Sequence, residues 1–147
     1  MASMKKTLLW IFIPFILIQF IQMDVPAILS TDNSNEIDAP KEIMKILNRS
    51  CYDCHSNSII YPWYTYIAPL SWYTKNHVEN GRVVVNFSIW KSYNKEKKFK
   101  VMENMPESLH IRMPLPDYLW THPKAKLSPN DKKRLTKWAK KLTDELK

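Results

Sequence analysis

The chain has 147 residues, a formal net charge of +8 from 22 Lys and Arg against 14 Asp and Glu, and 45% hydrophobic residues. Gly81 is its only glycine, which argues against turn-rich β folds and against any phosphate-cradling glycine loop. It has two cysteines, too few for a structural zinc site of paired Cys ligands, and a length that suits one small domain.

Lys5 and Lys6 precede an apolar run from Thr7 to Met23, interrupted by Pro14 and Gln19. As a helix the run would span roughly 25 Å, slightly short of the ~30 Å hydrocarbon core of a bilayer. No clear small-residue cleavage site follows it, and no cysteine is there to carry a lipid anchor. Being apolar on all faces, it does not suit a buried core helix. Residues 1–23 are therefore read as an uncleaved single-pass membrane anchor, with a removed signal segment as the alternative. The positive-inside rule keeps Lys5 and Lys6 in the cytoplasm and puts the C-terminal part outside. Residues 30–39 are polar and acidic, and residues 24–39 read as a tether. Residues 40–147 form the domain.

Pro40 suits the first turn of a helix, and Ile43, Met44, Ile46 and Leu47 give that helix an apolar face. It runs into Cys51-Tyr52-Asp53-Cys54-His55. A C-x-x-C-H run is the attachment signature of c-type haem. The two thiols can each add to a vinyl group on one edge of the porphyrin, and the histidine is then held as the proximal iron ligand. A zinc site lacks its second pair of ligands, and a thioredoxin-like dithiol lacks its βαβ surroundings. A plain disulfide gives no reason for His55. In bacteria such attachment takes place outside the cytoplasmic membrane, in agreement with the N-terminal segment.

Residues 61–73 are dense in aromatics and read as the wall of a haem pocket. Pro69 opens a predicted helix that runs to Asn80 and stops at Gly81, with Leu70, Tyr73 and His77 on one face. Val83–Val85 read as a short extended piece. Ser88 is the expected cap of a helix through Trp90, Tyr93 and Phe99 to Met102, with a lysine-rich exposed side. Residues 105–116, with Pro106, Pro114 and Pro116, read as irregular. The last helix is the clearest: Ser128 as cap, Pro129 first, Asp131 third, then a stripe of Leu135, Trp138, Ala139, Leu142 and Leu146.

Several segments in order resemble the bacterial haem-binding domain family: Cys51 to Asn57, Tyr61-Pro62-Trp63-Tyr64, Ile67-Ala68-Pro69, Ser71-Trp72, His77-Val78, Gly81-Arg82, Asn86-Phe87-Ser88 with Trp90, Met113-Pro114-Leu115, Tyr118, His122-Pro123, Leu127-Ser128 and Trp138-Ala139. The resemblance covers roughly residues 40 to 140. It implies a mostly helical mono-haem c-type cytochrome domain but names no substrate. Where such sequences usually carry Gly-Glu before the Met-Pro pair, this chain has Ile111-Arg112.

The expected fold is all-α, a small cytochrome c-like helical domain around one covalent haem, preceded by a membrane helix. Cys51 and Cys54 are the expected attachment points and His55 the proximal ligand. Met113, in a proline-held loop and at the matching family position, is the expected distal ligand. His77, Met105 and His122 are its rivals. Without Lys5 and Lys6 the chain carries 20 basic against 14 acidic residues, a net of +6. That charge suits an acidic redox partner and argues, with the compartment, against nucleic acid. The expected activity is single-electron transfer by a non-enzyme. The alternative is a haem enzyme or sensor with an open distal site, peroxidase-like or binding small gases.

Overall fold

The computed structural model describes residues 2–21, 33–59 and 61–147. Among these residues every regular element is helical and none is a strand, as an all-α reading requires. The end of the predicted anchor and most of the predicted tether, residues 22–32, lie outside the described residues.

Helix α1 spans Ala2–Ile18 and exposes its apolar side chains from Leu8 to Leu17. Among the described residues no helix is long and apolar enough to cross a membrane. The helix predicted through Met23 stops at Ile18. There the chain tightens into turns, with Gln19 N–H on Ile16 O, Phe20 N–H on Leu17 O and Ile21 N–H on Ile18 O.

Helix α2 (Lys41–Ser50) starts after Pro40 and buries Ile43, Ile46 and Leu47. After a break at Cys51 the chain makes one more turn, α3 (Tyr52–His55). Helix α4 covers Leu70–Val84, and a 3-10 stretch covers Phe87–Ser92. Helices α5 (Lys95–Ile111), α6 (Pro116–Thr121) and α7 (Pro129–Glu145) complete the chain.

Three of the sequence-predicted boundaries are corrected. Helix α4 does not stop at Gly81 but runs through it to Val84, so Val83 and Val84 are helical and only Val85 is extended. The helix expected from Ser88 is split in two. Asn86 caps the 3-10 stretch by accepting from Ser88 N–H, and Asn94 caps α5 by accepting from Lys97 N–H. Residues 105–111, expected to be irregular, continue α5 with Pro106 inside it. A proline there costs a hydrogen bond and about 3 kcal/mol. Met102 and Leu109, one turn to either side, are both buried in the core and anchor the helix across it.

The core lies where α5 packs along α7 and α2 packs against α7. Leu47, Met102, Leu135 and Ala139 are wholly inaccessible there. Tyr52 stacks on Phe87 with centroids 5.8 Å apart, carrying this core up to the C-x-x-C-H turn. Of the predicted stripe of α7, Leu135, Trp138 and Ala139 are buried, Leu142 packs partly buried against the core, and Leu146 lies at the C-cap, beyond the helix.

The α7 cap is also as the sequence predicts. Ser128 Oγ accepts from Asp131 N–H at 3.1 Å, and Asp131 Oδ2 accepts from Ser128 N–H at 3.0 Å. Arg49 of α2 donates to the same carboxylate at 2.9 Å. Burial alone would raise the Asp131 pKa, but Ser128 and Arg49 outweigh it and hold the carboxyl below its ordinary value. Ser128→Ala is expected to lower unfolding stability by about 1 kcal/mol, measured by urea titration. Because the folded-state pKa is depressed, the carboxylate's contribution is present above the ordinary value of 3.8 and fades as pH falls through the lower folded value. In Asp131→Asn that acid-limb loss should be smaller than in the wild type.

Candidate haem site

The C-x-x-C-H turn is a local consequence of its own hydrogen bonds. Cys51 O accepts from Cys54 N–H at 3.2 Å and from His55 N–H at 2.9 Å, closing a single helical turn. Cys51, Cys54 and His55 are thereby brought together at the end of α2, as the sequence predicts.

His55 Nδ1 lies 2.9 Å from Gly81 O and 3.0 Å from Val85 O. Carbonyl oxygens only accept, so Nδ1 carries the proton and Nε2 keeps its lone pair. This is how metal-bound imidazoles are usually oriented. Burial lowers the His55 pKa, against the two carbonyls, which raise it. The extension of α4 past Gly81 is what puts both carbonyls in place.

Gly81 is required by contact, not by backbone conformation, since its φ is not positive. A Cβ at this position would stand 2.6 Å from Cys54 O. Helix propensity alone would make Gly81→Ala stabilising by about 1 kcal/mol. The collision is with backbone, which cannot swing away, and overpacking of this kind costs about 1–3 kcal/mol. Gly81→Ala is therefore expected to lower the unfolding midpoint. A raised midpoint would show that α3 and α4 can separate freely.

Behind the turn a buried polar network fixes the chain. Ser56 Oγ donates to Tyr52 O at 2.7 Å, and Arg82 Nε donates to Ser56 O at 2.9 Å. Asn57 N–H donates to Ser88 Oγ at 2.9 Å, and Asn86 Nδ2 donates to Asn57 Oδ1 at 2.7 Å. These residues belong to the segments that carried the family resemblance, but nothing in their spacing indicated that they pair with one another.

The two thiols are free and partly buried. Burial, reinforced by Cys54 and offset in part by Arg49, pushes Cys51 up to about 12. Burial and the Asp53 carboxylate push Cys54 up to about 11. Both are thiols, not thiolates, at neutral pH.

Three adjoining cavities of about 550, 400 and 280 Å³ meet at this turn. Cys54 lines the largest and smallest, and Cys51 lines the middle-sized and smallest together with His55. Their volumes are in the range of ligand pockets, and the walls are mostly apolar and aromatic.

The four candidates for a distal ligand fall in different places. Met113, in the short loop between α5 and α6, lines both cavities that His55 lines. Met105 is on α5 and lines only the middle-sized one. His77 lines the largest and smallest, with Nδ1 2.9 Å from Tyr73 O and its ring 4.1 Å from the Tyr73 ring. His122 lines only the largest and stacks on Tyr118 at 4.2 Å. Tyr118 in turn donates to Asp53 Oδ2 in the motif. Leu70, Tyr73 and His77 share one face and one cavity, as their spacing predicts.

Two thiols, an imidazole with a free Nε2 and a thioether, set around an apolar cleft, form a donor set that suits a large flat iron macrocycle. No curated protein and no solved structure gives a significant match to the chain. The model of the haem-binding domain family matches residues 13–141, which take in the motif, the cavities and Met113. The chain belongs to the haem-binding domain family.

Proposed function

We propose that the protein is a membrane-tethered mono-haem c-type cytochrome that carries single electrons outside the cytoplasmic membrane. The observation that carries this reading is that His55, with Nε2 left free, and Met113 line the same two cavities at the C-x-x-C-H turn. When bound, haem supplies a one-electron iron couple. Cys51 and Cys54 would supply the thiols for two thioether bonds. His55, oriented by the carbonyls of Gly81 and Val85, would supply an imidazole nitrogen to the iron. Met113 would supply a thioether, a ligand that favours the reduced state. No residue has to move a proton, so no catalytic group is assigned.

The tether is supported by more than hydropathy. Gln19 Nε2 donates to Ala68 O at 3.1 Å, and Gln19 Oε1 accepts from Ala68 N–H at 2.9 Å. Trp72 Nε1 donates to Ile21 O at 2.8 Å. Removing residues 1–23 as a signal segment would strip the domain of these three bonds. Helix α1 has no polar face on which to lie flat at a membrane surface, which favours insertion over surface binding. Lys97 and Lys100 at the rim of the middle-sized cavity are placed to meet an acidic redox partner.

The test is a spectrum of the purified protein. Haem that stays with the polypeptide through denaturing electrophoresis, together with a six-coordinate low-spin spectrum and a thioether-to-iron band in the near infrared, is the expected result. A five-coordinate high-spin ferric spectrum, with binding of cyanide or carbon monoxide, would replace electron carriage with the open-site reading.

A further inference from the structure

Five exposed large apolar side chains of the domain fall in one short stretch, while Val83, Val84, Ile89, Ile111 and Trp120 are exposed elsewhere in the chain. Trp63 is 74% exposed, Tyr66 60%, Leu70 51%, Tyr73 49% and Ile67 36%. All five lie within five residues of Ala68, the residue that the Gln19 side chain clamps through both its N–H and its C=O. Trp72, within the same stretch, holds Ile21 O. The domain thus meets the end of the N-terminal apolar segment at the centre of its own aromatic apron.

We propose that this apron, residues 63–73, is a lipid-docking face that rests in the interfacial layer of the bilayer. The inference rests on the tethered reading above and adds to it an orientation. A bilayer that holds α1 has its boundary at the end of that helix, where Gln19 and Ile21 are bonded to Ala68 and Trp72. The bonds leave no slack between helix end and domain, so the side chains flanking them stand at the depth of the boundary. Their chemistry is that of an interface: Trp and Tyr carry apolar rings with a polar tip and are enriched at the level of the lipid head groups. Exposed apolar side chains grouped in this way call for a partner. Lipid is the occupant that the bonded end of α1 brings to it. The consequence is a fixed posture. The largest cavity, lined by Trp63, Leu70 and Tyr73, faces the membrane, and Lys97 and Lys100 line a cavity that none of these three reaches.

The experiment is hydroxyl-radical footprinting of the full haem-loaded chain, with and without phosphatidylcholine vesicles, preceded by flotation of the vesicles. Flotation with the vesicles and several-fold slower oxidation of Trp63 and Tyr66, with Lys97-side residues such as Met105 unchanged, is the expected result. Flotation without protection at Trp63 and Tyr66 would overturn the docking face and leave the tether standing. Failure to float would overturn the tether and the docking face together. Protection that appears without vesicles and grows with protein concentration would assign the apron to a second copy of the chain. A Trp63→Ser, Tyr66→Ser chain should still float through α1, but with Leu70 and Tyr73 now oxidised faster than in the parent on the same vesicles. Equal rates in the two chains would overturn the proposal.

Discussion

Replacing both Cys51 and Cys54 by alanine is expected to remove covalent haem and to cost the domain most of its cooperative stability. The three cavities at the motif, of about 550, 400 and 280 Å³, are open clefts with mostly apolar walls. Haem seated there would cover apolar surface worth about 25 cal/mol per Å², so its loss reaches several kcal/mol. Domains of this size are stable by only about 5–15 kcal/mol. Water entering the open cleft recovers part of the cost but leaves the aromatic walls wetted. The loss should be uneven. The packing of α2, α5 and α7 around Leu47, Met102 and Leu135 reaches the motif only through Tyr52 and Cys51 and should retain helical structure. Helices α3, α4 and α6, which frame the largest cavity, should lose theirs. Haem staining after denaturing electrophoresis reads the first effect, and thermal unfolding followed by far-ultraviolet circular dichroism reads the second. A double variant that unfolds in one sharp transition at the parent temperature would show that the cleft needs no filling.

The features that sequence made legible are those whose causes are local. Ser128, Pro129 and Asp131 announce a helix start because the capping bonds join residues three apart, and the structure shows both bonds. The C-x-x-C-H turn is legible for the same reason: its hydrogen bonds all return to Cys51. A lone glycine after a helical run looks like a terminus, yet Gly81 lies inside α4. Its actual cause, the carbonyl of Cys54, is 27 positions away in the chain and is supplied only by the fold. Pro106 misled in the same way, since the local cost of an interior proline is visible and the anchoring of Met102 and Leu109 is not. The choice among Met113, Met105, His77 and His122 is open in the sequence because four candidates of two ligand types are spread over 46 positions. The fold separates them by the cavities they line, and that separation rests on the continuation of α5 to Ile111, which the prolines had hidden.

Met113→Ala is expected to leave haem attached and to open the sixth position of the iron. Attachment depends on the thiols of Cys51 and Cys54, and proximal ligation on His55 held by Gly81 and Val85. None of these groups touches the Met113 thioether through a hydrogen bond, so the near-ultraviolet signature of bound haem should persist. The near-infrared thioether band should vanish, cyanide or carbon monoxide should bind where the parent excludes them, and the reduction potential should fall, because sulfur ligation stabilises the ferrous state. Stability should fall too, by the roughly 2–5 kcal/mol usual for methionine truncation in a packed site, less here because Met113 is only partly buried. Two comparisons keep the assignment sharp. Met105→Ala removes a thioether from a neighbouring wall of the same middle-sized cavity and should keep the band. His77→Ala removes an imidazole that already binds Tyr73 O and shares no more than the smallest cavity with His55, and should also keep it. If His77→Ala changes the spectrum while Met113→Ala does not, the iron carries two imidazoles. The potential would then be lower, and the porphyrin would lie toward the largest cavity instead of between His55 and Met113.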